Sequence, residues 1–355
     1  MIWVWLSFIL FILLLLALDL GVFHRKAHEI NVKEALGWSV FWIVLAMLFS
    51  GIVYLGYEQH WMGLGTAIDA VDGDTIDGRD AVGKYLTGYV VEKSLSVDNI
   101  FVISTLFSFF AVPRVYQHRV LFWGILGALI TRGIMIATGS ALIARYHWLL
   151  YFFGAFLIVT ALKMLFLKET HSDPGRNVVV RMMRKLLPVT DQFYEEHFVV
   201  TAGSAVIKEI NASRSTDRTD AAVDQAKKGT RMFTPLALAL VTVEFTDVIF
   251  AVDSIPAVFA ITADPFIVFT SNVFAMLGLR SLYFALGGMM QRFKYLKISL
   301  AAILGLIGVK MLAAHPLKLW LGSHFNLYVL GLVLLILILG VVVSEIEARL
   351  RRVPA

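Results

Sequence analysis

Five acidic residues carry the chemistry most easily read from this chain: Glu92 and Asp98 in VEKSLSVDNIFVI, residues 91–103, and Glu244, Asp247 and Asp253 in VEFTDVIFAVDSIP, residues 243–256. Both stretches are otherwise apolar enough to lie in hydrocarbon. A gap-free alignment on the two VD pairs sets Glu92 against Asp247 and Asp98 against Asp253, with Glu244 as an extra acid in the second copy. Each charge at the centre of a membrane helix costs about 2.5 to 3.5 kcal/mol, so five unpaired acids would cost on the order of 12 to 17 kcal/mol, comparable with a whole protein's stability. Something must compensate them. Clustered carboxylates, together with the oxygens of Ser94, Asn99, Ser254 and Asn272, suit a hard divalent cation such as Mn2+, Mg2+ or Ca2+. The lack of cysteine and of mid-span histidine argues against copper or zinc.

Helix geometry qualifies this reading. At about 100° per residue Glu244 and Asp247 share a face, whereas residues six apart, such as Glu92 and Asp98, diverge by roughly 120°. A straight helix does not aim every acid at one ion. Pro256 removes the hydrogen bond to the carbonyl of Val252, so a kink is expected there, with that carbonyl available to a cation. Alternatively the acids form successive stations along a path, or some of them carry protons. A carboxyl facing an empty, poorly hydrated cavity takes up a proton more readily when a metal leaves.

The elements that hold these acids are apolar runs of about twenty residues, each long enough to cross a hydrocarbon core of roughly 30 Å as a helix. Nine are read, at about 2–20, 35–55, 83–110, 118–144, 147–167, 233–260, 265–289, 295–314 and 323–346. The 355 residues are 59% hydrophobic and only 16% charged, too apolar for a soluble domain. With the N-terminus outside and the C-terminus inside, the inner loops hold 22 of the 31 Lys and Arg residues and the outer loops three, Arg79, Arg145 and Lys318. This asymmetry accounts for the net charge of +5 without a nucleic-acid partner. The first span lacks a preceding basic residue and a following cleavage site, and reads as a retained anchor. No phosphate-binding glycine loop is present, which argues against transport driven by ATP on this chain.

An internal repeat organises the spans. VDNIFVI around Asp98 matches VDSIPAV around Asp253, LITRGIM around Arg132 matches MLGLRSLYF around Arg280, and LIVTALKMLF around Lys163 matches LGLIGVKMLA around Lys310. Spans three to five and six to eight thus form two units of three crossings, which an odd number of crossings makes inverted. The expected organisation is two N-terminal spans (1–56), a first repeat (83–167), a cytoplasmic loop (168–231), a second repeat (232–314) and a last span with a basic tail (322–355). In inverted-repeat transporters the substrate binds near the midplane, between equivalent spans. Arg132 and Arg280 could each hold a carboxylate in place or substitute for the ion in an empty state. Lys163 and Lys310 read as helix caps or snorkelling residues. The competing structural reading is that these cations neutralise the acids in static ion pairs, although buried pairs often fail to offset their desolvation.

Other features read as less informative. DAVDGDTIDGRD, residues 69–80, is similar to a calcium loop but has Ile76 and Gly83 where ligands are needed, so a solvated acidic loop is expected. Residues 201–231 are polar and weakly patterned, and read as a flexible insertion. Trp3, Trp5, Trp38 and Trp148 fit interfacial belts. His24, His28, His315 and His324 lie in loops and face water.

TGYVVEKSLSVDNIFV, FGAFLIVTALKM and VEFTDVIFAVDSIPAVFAITADPFIVFTSNVFAMLGLRSLYF together carry a resemblance to the TerC family of bacterial membrane proteins, and within it to the Alx-type manganese exporters. The resemblance implies a nine-span inner-membrane protein that exports Mn2+ and needs its intramembrane acids, at Glu92, Asp98, Glu244, Asp247 and Asp253. Asp19 also fits the family pattern, though an interfacial, solvated Asp explains it equally well. The resulting expectation is an all-α, polytopic secondary transporter, not an enzyme, with Mn2+ as its transported ion, no permanently bound cofactor and the bilayer as its surroundings. Two rivals stand beside it: a calcium or magnesium transporter, and a partner of the secretion machinery that supplies metal to exported enzymes.

Overall fold

The computed structural model describes residues 2–18, 32–166, 181–183, 185, 187–204, 207, 220–286, 295–314, 316–317 and 325–350. Its long helices are α1 (Ile2–Leu18), α2 (Val32–Glu58), α3 (Gly78–Phe109), α4 (Arg114–Arg145) and α5 (Trp148–Phe166). A short β-ribbon of β1 (Val199–Thr201) and β2 (Arg231–Phe233) encloses the five-residue α6 (Ala221–Gln225), and α7 (Pro235–Phe259), α8 (Pro265–Leu277), α9 (Leu279–Leu286), α10 (Leu296–Leu312) and α11 (Phe325–Leu350) complete the chain. The class is all-α.

Six of these are long and apolar enough to cross a membrane: α2, α4, α5, α7, α8 with α9, and α11. Three of the nine expected spans fall short of that measure for identifiable reasons. Helix α3 carries Lys84, Glu92, Lys93 and Asp98, and α1 and α10 have 17 residues each. Two of the six are only 22% buried, α5 and α11, and they turn residues such as Tyr151, Val159, Leu335 and Ile338 outward. The α8–α9 span is 89% buried, which places it at the centre. An apolar exterior around a polar interior is the arrangement a lipid solvent selects.

Packing follows the small residues. Helices α5 and α10 meet most extensively, where Gly154 and Gly308 bring backbones together: a Cβ on Gly308 would lie 2.9 Å from the carbonyl oxygen of Gly154. Close approach through small residues is the usual source of helix association in lipid, which offers no hydrophobic drive. Helix α3 packs on α2, α7, α8 and α11, and α4 on α7 and α8.

Hydroxyls inside the spans satisfy themselves locally. Ser94 donates to Val90, Ser96 to Glu92, Thr242 to Leu238 and Thr246 to Thr242, each to a carbonyl one turn back. Helix α7 runs without interruption through Pro256, the position of the expected kink, to Phe259, because a proline in the last turn costs only one ladder bond. Helix α3 is also unbroken across its 32 residues. The discontinuity falls instead at Gly278, between α8 and α9.

Of the 201–231 stretch, expected as a flexible insertion, residues 201–204 and 220–231 are folded, and 205–206 and 208–219 lie outside the described residues. Val199–Thr201 pairs antiparallel with Arg231–Phe233. Buried Asp220 caps α6 and accepts from the backbone N–H of Asp191 and Gln192 and from the Tyr194 hydroxyl. Tyr194, Val200, Val223 and Met232 form a small core over this knot. Arg119 of α4 anchors the module through Glu196 at 3.0 Å and by stacking on Phe198.

Candidate functional site

Four helices converge on one guanidinium. Arg132, on α4 and 2% exposed, donates through Nε and Nη2 to the two carboxylate oxygens of Asp247 on α7, at 3.1 and 2.9 Å. Its Nη1 bonds to Glu92 of α3, to Oδ1 of Asn272 on α8 at 3.0 Å and to the Ser254 hydroxyl at 3.3 Å. The Asn272 amide nitrogen in turn donates to Glu92 at 3.3 Å. Bidentate pairing with Asp247 fixes the plane of the fork, and Nη1 serves the other three partners. Glu92 is 1% exposed on its side chain and Asp247 16%, so the acid on α7 is the more open of the two.

Thus Glu92, Asp247, Ser254, Asn272 and Arg132, chosen from the sequence as one cation site, come together. The other candidates do not join them. Glu244 is half-buried one turn before Asp247, its carboxyl lying where a Cβ on Gly127 of α4 would sit. Asp98 and Asp253 are half-buried, each six residues along its helix from Glu92 or Asp247, or about 9 Å at the helical rise. Lys163 of α5 lies close enough to Asp253 to attract it. Asn99 is buried beside Asp98 on α3. Arg280 is not at this centre; its guanidinium meets Nε2 of His118 on α4 at 2.9 Å. Asp19 lies outside the described residues. Among those described, no group of three or more acidic or imidazole side chains is gathered closely enough to hold a metal. The cation that Glu92, Asp247 and Asn272 contact is the guanidinium of Arg132.

Lys93 has a definite place. Its ammonium donates to the carbonyl of Ala275 at 3.0 Å and lies 2.7 Å from where a Gly278 Cβ would be. A helix ending at Leu277 leaves its last carbonyls without N–H partners, and a cation satisfies them. Lys93 therefore caps the half-helix α8, and the missing side chain of Gly278 makes the room.

Sequence reasoning missed a second buried cluster. The loop at 69–80, expected to be solvated, is folded inward: Asp69, Asp72 and Asp80 all bind the ammonium of Lys84, at 2.8, 2.9 and 2.7 Å, and Lys84 is 1% exposed. Asp69 also accepts from the Thr262 hydroxyl at 2.6 Å and the Ala263 N–H at 2.9 Å. Asn326 of α11 donates to Asp72 and Asp80. Lys310, expected to cap a helix end or to snorkel, donates to the carbonyl of Ile261, just past the end of α7, at 3.1 Å. Burial would raise the pKa of Asp72, but the ammoniums of Lys310 and Lys84 outweigh it and hold the carboxyl below its ordinary value. At neighbouring Asp264, burial prevails over the hydrogen bond from Tyr57 and pushes the carboxyl up. The available signal was the spacing of Asp80 and Lys84, one helical turn apart.

Comparison with known proteins places the chain. Residues 77–352 match the integral membrane protein TerC family. The chain is 44% identical over 307 residues to an uncharacterized membrane protein of Myxococcus xanthus, covering 86% of this chain and 82% of that one. It is 42% identical over 335 residues, 93% of each chain, to a protein of Escherichia coli strain K12 that bears the name Alx and the provisional description of a membrane-bound redox modulator. An uncharacterized membrane protein of Rickettsia bellii is 36% identical over 343 residues, 97% of each chain. No solved structure matches it. The chain belongs to the TerC family and is a multi-pass integral membrane protein.

Proposed function

We propose that this TerC-family protein is a secondary transporter that exports Mn2+ across the bacterial cytoplasmic membrane, coupled to protons, with its N-terminus outside and its C-terminus in the cytoplasm. The observation that carries the reading is the convergence of Glu92, Asp247, Ser254 and Asn272, from three helices, on the single cation Arg132 inside an apolar bundle. These donors are hard oxygen ligands. In the proposed cycle Mn2+ takes the place of the guanidinium, and Glu244, Asp98 and Asp253 are stations on either side. When the ion leaves, Arg132 returns to the carboxylates and a site with no metal is not left as bare buried charge.

The packing supports a nine-span reading with two inverted repeats. Under exchange of α3, α4 and α5 with α7, α8–α9 and α10, the contact of α3 with α8 becomes that of α7 with α4, and the contacts α3–α7, α4–α8 and α5–α10 map onto themselves. Of the charges that lower the hydropathy of α3, Glu92 and Lys84 are buried and ion-paired inside the bundle and beneath its loop. A redox role, as the name of the Escherichia coli relative suggests, meets a chain without cysteine and would run through the cation moved rather than through thiols.

Purified protein in sealed vesicles is expected to move Mn2+ under an imposed pH gradient, and Asp98→Asn and Asp253→Asn each to abolish that flux while folded protein remains. No flux in the parent chain, or full flux in both variants, would overturn the proposal. Competition by Ca2+ or Mg2+ at equal strength would move the substrate assignment to those ions.

A further inference from the structure

We propose that the Lys84 cluster is the outer gate of this transporter, closed in the conformation described. The inference rests on the transport reading and adds a moving part to it. Three observations carry it. Lys84 lies eight residues from Glu92 along α3, about 12 Å toward the end of the bundle that the loop charges place outside. The cluster also crosses the boundary between the repeats: Asp69 and Asp80 belong to the first unit and its loop, whereas Thr262, Ala263 and Ile261 form the turn between α7 and α8 of the second, with Lys310 of α10 behind them. Helix α11 closes the remaining side through Asn326.

The third observation is the chemistry of the seal. Lys84, Asp69 and Thr262 are all under 5% exposed, so the middle of the seal is closed to water, with Asp80 at its wetter rim. Apolar side chains of similar volume would shut it more stably, because buried ion pairs often fail to offset their desolvation. Carboxylates and an ammonium can instead be rehydrated one by one as the halves separate, which suits a closure that has to open. The residue aligned with Lys84 in the second copy is Ala239, so the seal is not duplicated at the opposite end. A gate of this kind blocks release outward while the central site communicates with the cytoplasm.

Covalent locking separates a gate from a static clamp. The chain has no cysteine, so Ala70→Cys with Ala263→Cys places the only two thiols on the two sides of the seal and leaves every side chain of the cluster in place. In vesicles, linking these thiols with a short reducible bis-thiosulfonate is expected to lower Mn2+ flux about tenfold or more, and reduction to restore it. Unchanged flux in fully linked protein would overturn the gate while leaving transport intact. Absence of flux in the parent chain and in the unlinked variant alike would overturn the transport reading, and the gate with it.

Discussion

The Arg132 and Lys84 clusters solve the same electrostatic problem with different hardware. Each buries a cation among carboxylates, and each has one more acid than base: Arg132 with Glu92 and Asp247, Lys84 and Lys310 with Asp69, Asp72 and Asp80. The first is mounted on helix interiors and uses a planar fork with fixed directions. The second is mounted on loops and helix ends and uses a compact charge that three acids approach from different sides. Rigid mounting suits a site whose geometry must be recovered after every turnover. Loop mounting suits contacts that break and re-form.

The sharpest way to break that distinction is to remove each cation. Arg132→Met and Lys84→Met both leave buried carboxylates uncompensated, and each is expected to cost about 3–5 kcal/mol, read as a lowered unfolding temperature in detergent. Added Mn2+ should recover part of the loss in Arg132→Met, where the carboxylates are the proposed substrate site, and little in Lys84→Met. Equal recovery in both would mean that the two clusters are not functionally different.

A smaller effect comes from exchanging the hardware. Arg132→Lys keeps the charge but loses the bidentate bond to Asp247, and is expected to lose about 1.5–3 kcal/mol together with most of the Mn2+ flux. Lys84→Arg forces a larger group into a filled site and should cost about 1–3 kcal/mol by overpacking. If the lysine variant transports normally, the fork is dispensable and rigidity is not what distinguishes the centre.

Much of the centre was legible before any coordinates. Burying a charge is so costly that Glu92, Asp247 and Arg132 had to find partners, and the repeated order of Asp, Arg and Lys identified which helices supply them. The identity of the central cation was not legible, because two carboxylates and an amide suit Mn2+ or guanidinium equally. Arg280 shows the limit of reasoning by repeat: it aligns with Arg132, yet its partner from α4 is His118. The Lys84 cluster was misread because acidity in a loop ordinarily means hydration, and sequence does not report that α11 and the α7–α8 turn cover it. Pro256 does not interrupt α7. Gly278, beside Lys93, was the signal of the real discontinuity, but a lone glycine in an apolar run carries little information by itself.

Acid titration sharpens the comparison further, since Asp72 lies outside the spans. Its pKa is lowered in the folded protein from an ordinary 3.8. A depressed acid contributes stability that is complete above its unfolded pKa and is lost as pH falls through the folded value. The contribution of Asp72 to the unfolding temperature should therefore be full and independent of pH near neutrality and decline below about pH 4. In Asp72→Asn that portion of the decline should vanish. A decline of identical shape in the variant would show that Lys84 and Lys310 do not depend on this carboxylate.

The smallest stability effect and the most selective functional one should come from two glycines. A Cβ on Gly127 would occupy the position of the Glu244 carboxyl. That carboxyl ends a flexible side chain and can swing away, and alanine favours a helix over glycine by up to about 1 kcal/mol, so Gly127→Ala should unfold at or slightly above the parent's temperature. Gly83, beside Lys84, offers the matched control, since its Cβ would meet Leu327 and Asn326 at ordinary contact distances of 3.6 and 3.9 Å. Gly83→Ala should therefore gain similar stability and keep its flux. Gly127→Ala, which displaces an acid at the approach to Asp247, should lose a substantial part of its Mn2+ flux at low Mn2+ and recover it at high Mn2+. Parallel flux in the two variants would remove Glu244 from the transport path and leave Glu92 and Asp247, held by Arg132, as the central binding acids.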